Sequence, residues 1–146
     1  MVIFEMKAVN QEIFDAFQRL IPQLTSVNPP PLWEALAKMA ASPATFVFLA
    51  RHPNSQGKIV GTATLATLLS PTGLHGWIED VVVDEAARRS GIGKVLTETC
   101  IVKARELGLQ EVQLTSRTSR EVANKLYISM GFARRETNLY RLALDD

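Results

Sequence analysis

Residues 76–94, GWIEDVVVDEAARRSGIGK, limit the possible folds of this chain more than any other stretch: a strand pattern runs into a glycine-bearing turn and then opens a helix. Trp77, Ile78, Val81, Val82 and Val83 are apolar, aromatic or β-branched and suit a largely buried strand, which Glu79 and Asp80 interrupt. Two carboxylates inside such a strand demand a chemical reason. Further on, Ile92, Val95, Leu96, Cys100, Ala104 and Leu107 recur at helical spacing, and Thr97, Glu98, Lys103, Arg105 and Glu106 are expected on the opposite, polar face.

A strand–turn–helix junction of this kind suits an anion. The first helical N–H groups lack intrahelical acceptors, and the helix dipole adds positive potential where they point. Gly91 and Gly93 remove the Cβ atoms that would keep a phosphate from the backbone, and Arg88, Arg89 and Lys94 add charge around the same turn. The spacing is not that of a P-loop, which needs four residues between its first glycine and Gly-Lys-Ser/Thr. Leu96 also occupies the third-glycine position of the dinucleotide fingerprint.

Arg88, Arg89, Ser90, Gly91, Ile92 and Gly93 do resemble, at every specified position, the Arg/Gln-x-x-Gly-x-Gly/Ala signature of the acyl-CoA-dependent N-acetyltransferase superfamily, GNAT. Residues 123–132, ANKLYISMGF, resemble the second signature of that family, Ala-x-x-Leu-Tyr-x-x-x-Gly-Phe, in the right order behind the first. The resemblance implies an α/β (α+β) fold: a mixed, mostly antiparallel central sheet with helices on both faces and a splayed strand pair that holds CoA. It also implies a single N-acetyltransferase domain over residues 1–146.

The rest of the chain is compatible with that expectation. A length of 146 residues with 47% hydrophobic content suits one domain with a substantial core. Sixteen basic and 15 acidic residues give a net charge of +1, so no global field recruits nucleic acid or a membrane surface. A single cysteine, the lack of a long apolar run and the lack of a signal-peptide pattern make a cytoplasmic protein the expectation. Strands are expected at residues 2–9, 45–50, 58–68 and 112–115, and as a closing pair at 132–137 and 139–144. Helices are expected from Asn10 as cap to a kink or stop at Pro22, and over residues 32–40. A last helix is expected with Ser119 as its cap and Gly131 as its stop. Gly61 marks a bulge or a close backbone approach.

An amine acceptor must lose a proton before it attacks a thioester, and a carboxylate can receive it directly or through water. Glu79 is the candidate base, with Asp80 and His75 as alternatives; strand alternation places Glu79 and Asp80 on opposite faces. By the resemblance, the pantetheine arm of acetyl-CoA hydrogen-bonds to the strand 81–83 through backbone groups of Val81 and Val83, flanking Val82. Arg88, Arg89, Ser90, Gly91, Ile92, Gly93 and Lys94 receive the diphosphate, Asn124 holds the arm, and Tyr127 touches the donor and protonates the thiolate that leaves. Arg120 stands where that motif often has asparagine, which puts one side-chain contact in doubt. Cys100, on the apolar helix face, reads as core. Direct transfer needs no covalent enzyme intermediate and no metal.

The expected partners are a small-molecule or peptide amine and, by the resemblance, a second copy of the chain in a homodimer. The Trp77–Val83 strand also resembles that of glucosamine-6-phosphate N-acetyltransferases, which makes an amino sugar one acceptor to consider. A catalytically silent acyl-CoA sensor is the alternative function.

Overall fold

The computed structural model describes residues 1–145. They form two compact units, Met1–Thr115 and a second that begins at Ser116.

The first unit is built on a five-stranded sheet of order β1-β2-β3-β4-β5, with β1 Val2–Glu5, β2 Thr45–His52, β3 Lys58–Ser70, β4 Gly73–Val83 and β5 Val112–Gln113. The first four strands are antiparallel neighbours, and β5 joins β4 in parallel after a helical crossover, as the sequence pattern implies. The helices are α1 Gln11–Leu24, α2 Trp33–Ala41 and α3 Ile92–Glu106.

Helices cover both faces because the strands alternate. Val47 and Leu49 of β2, Ile59 of β3 and Val82 of β4 share one core with Ile13, Phe17 and Leu20 of α1 and Leu36 of α2. On the other face, a Cβ built on Gly61 would lie 3.1 Å from Leu96 and 3.2 Å from Ile92, so glycine lets α3 pack tightly against β3. Lys103 of α3 places its Nζ 4.9 Å over the Phe46 ring of β2 on this face. Thr97, expected on the polar face of α3, is fully buried, and its hydroxyl donates to the Gly93 carbonyl at 2.8 Å. That bond satisfies the one polar atom and lets the residue join the core.

Local chemistry explains the helix ends. The Asn10 side chain accepts from the Ile13 amide at 2.9 Å and caps α1. Pro22 does not stop that helix, which continues to Leu24: in the last turn its missing N–H costs only the bond to Gln18, and Thr25 still donates to Ile21. Helix α3 ends on Gly108 at φ 73°, where Gly108 donates to Arg105 and Leu109 to Ala104.

The second unit carries one helix, α4 Glu121–Ser129, closed by Gly131 at φ 100°. Its N-terminal cap position is Arg120, not the expected Ser119, and no side chain caps it. The closing strand pair expected at 132–137 and 139–144 does not form; no β-ladder occurs among the described residues after Gln113. Tyr140, Leu142 and Leu144 alternate in sequence yet stand exposed, since alternation yields a strand only where a ladder partner is supplied.

Candidate functional site

Strand β4 is where the site begins. Thr64 pairs with Glu79 and Thr62 with Val82, so Asp80 and Val81 together oppose Ala63 in a β-bulge. Asp80 takes the left-handed conformation the extra residue requires, at φ 52°, which aspartate tolerates better than most side chains.

The bulge corrects the expectation that Glu79 and Asp80 face opposite ways. Directly paired residues share a face, so Glu79 lies on the side of Thr64, and Thr64 and Asp80 line the same cavity. Partial desolvation, with the Asp80 charge next to it, raises the Glu79 carboxyl above the ordinary carboxylate range. A base with a raised pKa is better matched to proton transfer near neutrality.

Past the bulge, β4 has an open edge. Pairing with β5 covers only Gly76 and Trp77, and β4 continues six residues beyond Trp77 to Val83. The Asp84 amide donates back to Val60 of β3 at 2.7 Å, so alternation turns the backbone groups of Val81 and Val83 to the opposite edge. The Arg88 Nε donates to the Val83 carbonyl at 3.2 Å, which fits that direction. Val82 contributes differently, since its side chain is buried among α1 residues.

The chain then passes through a single 3-10 turn, Glu85–Ala87, whose N-terminus is capped by Asp84 accepting from Ala86 at 3.2 Å. Arg88, Arg89, Ser90, Gly91 and Lys94 are exposed around the turn that follows. Arg89 at φ 69° and Gly91 at φ 78° both take left-handed conformations, and the Ser90 hydroxyl donates to the Ala87 carbonyl, which fixes the turn. The first α3 hydrogen bond runs from Val95 to Gly91 at 3.1 Å, leaving the Ile92, Gly93 and Lys94 amides without helical acceptors. Ile92 anchors the helix start by burying its side chain, and Lys94 lies 3.9 Å from Glu98.

Glycine keeps this turn accessible. A Cβ on Gly91 would meet nothing within 4 Å, and one on Gly93 only Val83 Cγ2 at 3.7 Å, so the space beside the amides is open. The residues present fit a diphosphate at α3 and an extended amide-bearing arm along the edge of Val81 and Val83.

His75, the further candidate base, has both ring nitrogens engaged: Nδ1 with Glu111 at 2.5 Å and Nε2 with Thr72 at 2.9 Å. In the second unit Asn124 donates through Nδ2 to the Arg117 carbonyl at 2.9 Å, and Tyr127 packs edge-on against Phe132 at 5.8 Å. Burial raises the Tyr127 phenol, opposed in part by Arg120, so it stays protonated well beyond neutrality.

The family resemblance also implies that the helix pair within residues 10–39 and its loop wall the acceptor side, and a cavity of about 200 Å³ lies there, between α1, the α1–α2 loop, α2 and the β3–β4 face. Phe17, Ile21, Leu24, Leu36 and Met39 give it apolar walls; Thr25, Asn28, Thr62, Thr64 and Asp80 are polar, and Asp80 is the one ionisable residue among the described lining residues. The adjacent carboxylates in an apolar strand were the other available signal.

Comparison with known proteins decides what scaffold this is. Residues 10–132 match the model of the acetyltransferase (GNAT) family, which is most of the chain. The chain belongs to the GNAT family of acetyltransferases. Among solved structures it is similar to an acetyltransferase of Trypanosoma brucei, with 27% identity, a TM-score of 0.77, and 98% of this chain and 100% of that one covered. It is also similar to an aminoglycoside acetyltransferase from an uncultured soil metagenomic sample, at 26% identity and a TM-score of 0.82, covering 99% and 96%. Glucosamine-6-phosphate N-acetyltransferase of Arabidopsis thaliana shares the GNAT fold at 21% identity and a TM-score of 0.79, covering 99% and 100%. The mixed, mostly antiparallel sheet with helices on both faces is the GNAT architecture expected from the two signatures. Among the described residues no helix is long and apolar enough to cross a membrane.

Proposed function

We propose that the protein is an acetyl-CoA-dependent N-acetyltransferase acting on the amine of a small molecule or peptide, as one catalytic domain. The observation that carries this reading is the continuity of the open β4 edge at Val81 and Val83 with the uncapped start of α3, where Gly91 and Gly93 leave room beside the amides. The family match over residues 10–132, which spans both compact units, supports treating them as one functional domain.

The edge at Val81 and Val83 would hold the pantetheine arm. The Ile92, Gly93 and Lys94 amides, with Arg88, Arg89 and the Ser90–Gly91 turn, would hold the diphosphate. Bound acetyl-CoA supplies an activated thioester whose carbonyl carbon an unprotonated amine can attack.

Glu79 takes the proton the ammonium must lose, directly or through water, and its raised pKa is suited to that exchange. As nitrogen bonds to the acetyl carbon, the carbon–sulfur bond breaks and the sulfur takes a proton. Tyr127 is assigned that donation by its place in the second signature, and its raised pKa keeps the proton available. Asn124 is assigned to the cofactor arm on the same ground, while its Nδ2 serves the Arg117 carbonyl.

A thiol-release assay with acetyl-CoA and a panel of amines tests the proposal. Amine-dependent release is expected; binding of acetyl-CoA with no release for any amine would identify a sensor instead. A homodimer and a cytoplasmic location are part of the proposal and rest on the family resemblance, and sedimentation of the full chain tests the first.

A further inference from the structure

We infer that the acceptor is a compact primary monoamine with an apolar body, and that Asp80 is the side chain that holds its ammonium group. The inference rests on the transferase reading above and adds the acceptor class to it.

Size is the first argument. A cavity of about 200 Å³ lies below the roughly 300–1,000 Å³ that drug-sized ligands fill, so it suits a small acceptor and not an oligosaccharide. Lining chemistry is the second. The helix walls, Phe17, Ile21, Leu24, Leu36 and Met39, are apolar, whereas Thr25, Asn28, Thr62, Thr64 and Asp80 stand on the loop and strand side; a hydroxyl turned toward the helices is buried without a partner and loses affinity. The Thr62 hydroxyl already donates to the Phe48 carbonyl at 2.9 Å. No cationic side chain is among the described lining residues, so a sugar phosphate has no counter-charge there.

Charge is the third argument. One lining carboxylate balances one ammonium, whereas a polyamine or an aminoglycoside brings several. The bulge turns Asp80 onto the face of Thr64 and Glu79, so an ammonium held at Asp80 lies next to the proposed base. It lies equally close along the strand to Val81, where the donor arm is proposed to run. The apolar body would then occupy the space between α1 and α2.

Steady-state kinetics of the full chain, with 2-phenylethylamine and 3-methylbutylamine set against glucosamine 6-phosphate, spermidine and an aminoglycoside, tests this. The two apolar monoamines should show kcat/KM at least about tenfold above the others. Asp80→Asn, chosen because asparagine also tolerates the left-handed conformation, should raise KM for them roughly tenfold or more while kcat changes less than about threefold. Preference for the sugar phosphate, the polyamine or the aminoglycoside would overturn the inference and leave the transferase reading standing. A fall in kcat with unchanged KM in Asp80→Asn would also overturn it, by making Asp80 the base. Calorimetric titration with 2-phenylethylamine reads the ammonium site without turnover: binding that weakens in Asp80→Asn supports the inference, and no binding to the native chain overturns it.

Discussion

Arg19 of α1 and Asp84 at the end of β4, 65 positions apart, meet through the Arg19 Nε at 3.2 Å from the Asp84 Oδ2. The same guanidinium donates to the Ile59 carbonyl, and Gln23 one turn further along α1 accepts from the Glu85 amide at 2.9 Å. Helix α1, a wall of the cavity, is thereby fastened to the strand end from which the turn into α3 departs. Burial pushes the Asp84 carboxyl up, but the Ala86 amide, Arg19 and Gln23 together outweigh it and hold it below the usual carboxylate range.

That direction fixes the sign of a pH effect. A carboxyl with a lower pKa folded than unfolded contributes stability that is present above the unfolded value of about 3.9 and is lost as pH falls through the folded value. Urea unfolding midpoints should therefore drop between pH 5 and strong acid less steeply in Asp84→Asn than in the native chain. At pH 7 Asp84→Ala should cost roughly 1.5–3 kcal/mol, because Arg19 is left half-buried and unpaired.

At Gly93, affinity and stability should move in opposite directions. Alanine at a helical position gains up to about 1 kcal/mol over glycine, and the added Cβ meets only Val83 Cγ2, at an ordinary 3.7 Å. The same Cβ intrudes on the space beside the amides. Gly93→Ala should leave the melting temperature equal or higher and weaken acetyl-CoA binding by about tenfold or more, measured by calorimetry.

Much of this scaffold was legible in the residues, and the failures have physical causes. The β4–turn–α3 junction was readable because β-branched runs, Gly91, Gly93 and a helical stripe each act locally. The bulge was not: Asp80 takes a left-handed conformation without the glycine that usually announces one, so simple alternation sent two carboxylates to opposite faces. The Arg19–Asp84 pair and the size of the cavity depend on contacts between segments far apart in sequence, which no local pattern encodes; only the helix pair that walls the cavity was expected, from the family resemblance. The alternation of Tyr140, Leu142 and Leu144 was real but had no ladder to join.

Glu79 and Tyr127 should separate in their kinetic effects. The raised Glu79 pKa predicts that kcat/KM rises with pH as the carboxyl loses its proton, with a midpoint above that of an ordinary glutamate, since only the carboxylate can accept. Glu79→Gln should abolish that limb and lower turnover roughly 10²-fold. Tyr127→Phe should lower kcat by about 10²-fold with the dissociation constant of acetyl-CoA nearly unchanged. Unaltered turnover would remove the role assigned to the phenol.

Cys100 should be inert. Burial pushes its thiol up to about 12, and the side chain is fully enclosed in the core under α3. An aromatic disulfide reagent at pH 8 should leave the native chain unmodified and modify it in full in denaturant.

The central claim is that the open β4 edge and the start of α3 together bind acetyl-CoA. Amide-resolved NMR during titration with acetyl-CoA tests it most directly. Saturable shifts should centre on the amides of Val81, Val83 and residues 91–94, and Arg88→Ala should weaken them. No saturable shift, or shifts confined to residues away from that edge and turn, would contradict it.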